Sequence, residues 1–355
     1  MGGDLAVIVE LEAALARLLE RGDGARPDPA WLACARRWSA AVWEHAEQMA
    51  PAPLTAEAVE RGLALARRPV FVCGAHRSGT SLVRNLLDGH PALAVLPSEG
   101  TFYTHIERRL AGLSPHGQAA EMGQEWLRRL ANPGNQPPFW LLGRSGAEAS
   151  PYVEFARELA AWWPLLRERA GDRRGLWPLV AVVLAYAERI GAGGAVRWVE
   201  KTPTNEQNLA RLWAEFPEAR VIHLVRRPED ALASHKAVMG ARWRPGREVA
   251  AIYRNLTRSL RIAHQQLRAA PPERYLLLRY EDLAGNPAEA AGRLAVFLDI
   301  DPLPSLLEPT VATLPVRPNS SFADDRQRAE RRLTRLERAV LTLATGRAAA
   351  RLGYD

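Results

Sequence analysis

At 355 residues, with 47% hydrophobic and 25% charged side chains, the chain has an ordinary globular composition and room for one large domain with appendages or two smaller ones. No apolar run approaches the roughly 18 to 20 residues of a membrane-spanning helix, and two cysteines, Cys34 and Cys73, are too few for a disulfide framework. The net charge of +7 comes from arginines spread along the chain without an aromatic-interleaved basic motif, which points to a small anionic ligand and away from nucleic acid.

From the N-terminus, residues 5 to 66 read as helices, carried by ALARLLE, WLACARRWSAAVWEHAEQ and AEAVERGLALARR and broken by the turn RGDGARPDP. They form a helical extension, 1–68, ahead of the main domain. Asp4, Glu10 and Glu12 stand where a secretion signal needs a basic start and an unbroken apolar centre, so a cytoplasmic location is expected.

The next stretch, VFVCGAHRSGTSLVRNLLDGHP, runs from an apolar strand through a tight loop into Leu82, Val83, Leu86 and Leu87 at helical spacing. Cys73 belongs to the strand as a buried thiol. Gly74, four residues, Gly79 and then Thr80-Ser81 reproduce the Walker phosphate loop except that threonine stands where its lysine belongs. Backbone N–H groups of Ser78, Gly79, Thr80 and Ser81 at a helix N-terminus suit an anion, and Arg77 supplies the cation.

Beyond it, Leu93-Ala94-Val95-Leu96 leads into Pro97-Ser98-Glu99. Residues 101–195 form a helical insertion whose Trp126, Trp140, Trp162, Trp163 and Trp177 either wall an acceptor pocket or pack a core. The strand AVRWVEKTP and the helix NEQNLARLWAEFP follow. VIHLVRRPEDALASH then repeats the strand–turn–helix grammar, with Arg226-Arg227 where an ATP hydrolase carries a magnesium-organising aspartate. Arginine there attracts a phosphate, Pro228 opens the helix, and Ser234 falls eight residues after Arg226. RYLLLRYEDLAGNP adds a last strand and turn, and the Arg-rich tail, 323–355, is expected as a terminal helix. The alternation predicts an α/β fold: a P-loop-like parallel sheet flanked by helices, with helical N-terminal extension and insertion. Two anion sites at neighbouring strand ends, with no evident metal ligand set, suit a nucleotide with phosphates at two positions.

On these residues the chain resembles sulfotransferases that use 3′-phosphoadenosine 5′-phosphosulfate. GAHRSGTSLVRNLLDGHP is similar to their 5′-phosphosulfate loop, and VRRPEDALAS to their 3′-phosphate motif, with Arg226 and Ser234 at the family spacing. EKTPTN is similar to the lysine-bearing strand end between them, and RYEDLAGNP to a segment closing the sheet. The resemblance covers about 68–300 and lies closest to the bacterial and tyrosyl-protein type, giving a sulfotransferase α/β domain over 69–322.

It implies metal-independent, in-line transfer of a sulfuryl group to a hydroxyl or phenol of a small molecule, carbohydrate or peptide. Lys201 matches the position facing the bridging oxygen, and Arg77 the cation on the transferring group. The histidine that serves as base in cytosolic members is replaced by Pro203, whereas Glu99 corresponds to the glutamate of tyrosyl-protein members. His90, His223 and His235 are alternative bases, although as strand or helix residues near no second titratable partner they read as structural. Arg317, Asn319 and Ser320 of VRPNSSF stand where the family closes over the donor. A homodimer stays open, as do a small-molecule kinase and a non-catalytic nucleotide-binding protein.

Overall fold

The computed structural model describes residues 2–21, 29–131, 139–170, 175–240, 243, 247–316 and 333–354. Arg317, Asn319 and Ser320 lie outside the described residues. The fold is α/β, a five-stranded parallel sheet flanked by helices, with strand order β2-β3-β1-β4-β5. The strands are β1 (Pro69–Cys73), β2 (Leu93–Val95), β3 (Arg197–Lys201), β4 (Arg220–Val225) and β5 (Tyr275–Arg279). Every residue of β1 and β3 is buried, as strands covered on both faces must be. In the parallel register Cys73 lies opposite His223, and Val225 opposite Arg279. The chain divides into two compact units, 1–66 with 91–198 and 67–90 with 199–355.

The first unit is mainly helical: α1 (Gly2–Arg21), α2 (Pro29–Gln48), α3 (Ala56–Ala66), a π-helical turn (Phe102–Ile106) into α5 (Glu107–Leu110), α6 (Pro115–Ala131), α7 (Pro151–Ala170) and α8 (Trp177–Arg189). From Pro178 to Ala187 α8 is buried on every side, which its unbroken apolar run allows. Trp126, Trp162 and Trp163 are buried, and Trp140 sits edge-on to Trp38 and Tyr152 at 5.9 and 6.0 Å. Of the two readings of these tryptophans, the packed core holds for Trp126, Trp162 and Trp163.

The second unit carries the phosphate-loop helix α4 (Thr80–Leu87), a 3-10 turn (Asn205–Asn208), α9 (Leu209–Glu215), α10 (Pro228–Met239), α11 (Arg247–Ala269), α12 (Tyr280–Gly285), α13 (Pro287–Leu298) and α14 (Arg335–Ala350). Thr334 and Glu337 close a capping box at the start of α14. The second lysine, Lys236, is tied to the same Glu337 at 2.9 Å, and Trp243 donates to that carboxylate at 2.8 Å. The segment expected as a turn after β5 is the short helix α12, and two residues each of β6 (Thr310–Val311) and β7 (Leu314–Pro315) form a small hairpin that the sequence pattern did not announce.

Candidate functional site

The C-terminal ends of β1, β3 and β4, all in the second unit, lead to chemistry-bearing residues: Gly74–Ser81 after β1, Lys201 and Thr202 at the end of β3, and Arg226 after β4. Since β1 and β4 are paired in parallel, Gly74 and Arg226 leave the sheet on one edge, the position at which open α/β sheets hold ligands.

Two glycines shape the loop. Gly74 has φ 139°, and a Cβ there would overlap the Leu224 carbonyl oxygen; Gly79 has φ 95° and precedes α4, and its Cβ would come 2.6 Å from the Tyr280 ring. Only glycine fits either place. Arg77 adopts φ 70°, a left-handed conformation that costs a side-chain-bearing residue about 1–2 kcal/mol. The α4 N-terminus presents N–H groups that an α-helix leaves without intrahelical partners, and Leu82, Val83, Leu86 and Leu87 anchor its other face in the core.

The structure brings the two anion motifs together. Arg77 Nε donates to Ser234 Oγ at 3.0 Å, and Arg226 Nη1 donates to the Arg77 carbonyl at 3.3 Å. The Arg226 guanidinium lies 4.0 Å from the centroid of Tyr280, the ring that also abuts Gly79. Glu281 accepts the Arg227 N–H at 2.7 Å and fixes the start of α10. Lys201 is 3% exposed at the end of β3, so its side chain is held within the protein. Its neighbour Glu200 accepts from Thr202 Oγ1 and, at 2.7 Å, from Asn205 Nδ2, which fixes the turn after the strand. Glu99 follows β2 in the first unit and is half-buried; Arg129 donates to its backbone carbonyl and to Thr101.

The three histidines are differently placed. His90 is buried and bonded to the Asp301 carbonyl at 3.0 Å, a structural role. His223 and His235 do meet titratable groups, contrary to the expectation from sequence, because those partners come from other elements. His223 bonds Tyr275 Oη at 2.6 Å and Ser259 Oγ at 2.8 Å, and burial pushes its pKa down to about 3. The His235 ring lies 6.1 Å from that of His76, and burial, reinforced by His76 and Arg77, lowers its pKa to about 4.

Beneath the loop lies a polar layer that sequence reasoning missed. Glu206 Oε2 accepts the Gly74 N–H at 3.2 Å, Ser259 Oγ accepts the Ala75 N–H at 3.1 Å, and the Thr204 N–H bonds the Gly74 carbonyl at 3.2 Å. Glu206 is 2% exposed, and burial raises its carboxyl pKa to about 7. The only available signal was that Glu206 follows the lysine-bearing strand end, whereas Ser259 and Tyr280 carry no motif signal of their own. Among the described residues no cluster of three His, Cys, Asp or Glu side chains is placed to hold a metal, and no helix is long and apolar enough to cross a membrane.

Residues 69–304 match the model of the sulfotransferase family. Several solved structures are similar, three of them as follows. The sulfotransferase domain from the Synechococcus PCC 7002 olefin synthase is 23% identical, with 81% of this chain and 95% of that one covered and a TM-score of 0.49. The sulfotransferase domain from the curacin biosynthetic pathway is 19% identical, covering 81% and 97%, with a TM-score of 0.46. Sulfotransferase STF9 from Mycobacterium avium is 13% identical, covering 98% and 96%, with a TM-score of 0.44. No curated protein matches the sequence.

Proposed function

The chain belongs to the sulfotransferase family, and on that premise we propose that it moves a sulfuryl group from 3′-phosphoadenosine 5′-phosphosulfate to a hydroxyl or phenol of a small-molecule, carbohydrate or peptide acceptor. The observation that carries the donor assignment is the junction of its two anion motifs, with Arg77 bonded to Ser234 and Arg226 bonded to the Arg77 carbonyl. One nucleotide with a 5′-phosphosulfate and a 3′-phosphate fits both motifs at once. A triphosphate would ask for the loop lysine that Thr80 replaces.

In this reading the N–H groups at the start of α4 bind the 5′-phosphate, and Arg226 with Ser234 binds the 3′-phosphate. The acceptor oxygen attacks sulfur in line, its proton passes to Glu99, and the bond from sulfur to the bridging oxygen breaks. Lys201 and Arg77 stabilise the charge that builds on the bridging and sulfuryl oxygens, and 3′,5′-adenosine diphosphate leaves. By the family resemblance Arg317, Asn319 and Ser320 would contribute to donor binding, and the protein would act in the cytoplasm.

The test uses radiosulfate-labelled donor with a panel of phenols, sugars and hydroxylated peptides. Lys201→Ala and Glu99→Gln each lower transfer by about 10²-fold or more while 3′,5′-adenosine diphosphate binds as before. Full transfer by both variants would remove these residues from the chemistry.

A further inference from the structure

The underside of the loop holds two main-chain N–H groups, those of Gly74 and Ala75, on side chains from two different elements: Glu206 from the turn after β3 and Ser259 from α11. Ser259 in turn meets His223 of β4, and His223 meets Tyr275 of β5. All four side chains are buried, so each of their protons needs an acceptor, since an unpaired buried donor costs about 1–3 kcal/mol.

That requirement sets the direction of the bonds. Among the described residues, the Tyr275 hydroxyl meets only His223 Nδ1. Burial keeps the phenol protonated and His223 neutral. Tyr275 therefore donates to a bare Nδ1, which places the ring proton on Nε2, and Nε2–H donates to Ser259 Oγ. The remaining proton, on Ser259, is left for the neighbouring Glu206 carboxylate, whose Oε1 has no other hydrogen-bond partner among the described residues. The carboxylate ends the chain as the acceptor for both Ser259 and the Gly74 N–H. Any reversal strands the Tyr275 proton.

Resting on the sulfotransferase reading, we propose that this buried relay, Tyr275 to His223 to Ser259 to Glu206, is a positioning device for the donor's 5′ end. By fixing Gly74 and Ala75 from beneath, it aims the N–H groups of Gly79, Thr80 and Ser81 at the 5′-phosphosulfate. Ser259 is the junction, because it bonds both the loop and the histidine and lies beside the carboxylate. No member of the relay is placed on the donor, and Ser234 of the 3′-phosphate motif is carried by a different element, α10.

Two ligands separate this role from general stabilisation: 3′,5′-adenosine diphosphate, which uses both motifs, and adenosine 3′-monophosphate, which uses only the Arg226 and Ser234 end. Calorimetry is run in mildly alkaline buffer, above the Glu206 pKa of about 7. Ser259→Ala weakens the diphosphate by about tenfold or more, as loss of a buried charge-linked hydrogen bond predicts, and leaves the 3′-monophosphate within about twofold. Glu206→Gln, which keeps the side-chain shape, gives the same selective loss with a smaller amplitude and serves as the test if Ser259→Ala fails to fold. Equal losses for the two ligands, or no loss in either variant, would overturn the proposal. If the unaltered protein binds neither nucleotide, the donor reading itself falls.

Discussion

The two units bury different things. In the first, the inner positions go to Trp38, Trp126, Trp162, Trp163, Tyr152 and the all-apolar face of α8, with Glu12, Ser39, Ser150, Glu158 and Arg197 as the polar exceptions among the described residues. In the second, Ser78, Thr80, Glu200, Lys201, Thr202, Asn205, Glu206, His223, Arg226 and Ser259 are buried within a few residues of the strand ends or against the loop. Burying aromatic surface stabilises a fold directly, whereas burying charged and polar groups costs free energy unless each is paired. A core assembled from the second kind is therefore built for a site. The first unit is a scaffold packed by volume; the second uses part of its interior to hold a loop in one shape.

Trp126→Ala tests the scaffold side and carries the largest expected effect. It should cost about 3–5 kcal/mol of stability in denaturant titration, as large aromatic truncations do, yet leave the affinity of the folded protein for 3′,5′-adenosine diphosphate within about twofold. A large loss of affinity at full folding would break the division between the units. Gly74→Ala probes the other side. With φ 139° and the Leu224 carbonyl in the way, the loop must move, and nucleotide binding should fall about a hundredfold, or roughly 2.7 kcal/mol, by calorimetry.

The smallest effect is a pH slope. Glu206 and, in the first unit, Glu158 both have carboxyl pKa values raised to about 7, chiefly by burial. A raised carboxyl contributes stability that is complete below its ordinary value of 4.5 and is lost as pH rises through about 7. His223, lowered to about 3, acts in the opposite sense: its contribution is present above 6.5 and lost as pH falls toward 3. Compared with Glu206→Gln, the unaltered protein should lose stability between pH 4.5 and 7, and the matching loss against Glu158→Gln should follow the same window. A flat difference for Glu206 alone would mean its carboxyl is less buried than the loop geometry requires.

Much of this was legible in the chain. The strand–loop–helix at 70–87, the second anion motif at Arg226 and the helical character of 101–195 follow from periodicity and from glycines at fixed offsets, which are local signals. The strand order was not legible, nor were the partners of His223 and His235, because Tyr275, Ser259 and His76 reach them only through the fold. Glu206 sits in plain view in TPTNEQN, but nothing in its neighbours marks it as buried; only the approach of Gly74 across 132 residues does. The two lysines show the same limit. Lys236 becomes a clamp on Glu337 and Trp243, whereas Lys201 is buried at a strand end, a difference that only the fold reveals.

The central claim, that the joined motifs hold a nucleotide phosphorylated at both its 3′ and 5′ ends, is tested most directly by calorimetry without added metal. The account predicts that 3′,5′-adenosine diphosphate binds in the absence of magnesium, more tightly than ATP does with magnesium, and that Arg226→Ala weakens it by about tenfold or more. Tight binding of ATP with magnesium, together with weak, Arg226-independent binding of 3′,5′-adenosine diphosphate, would contradict it.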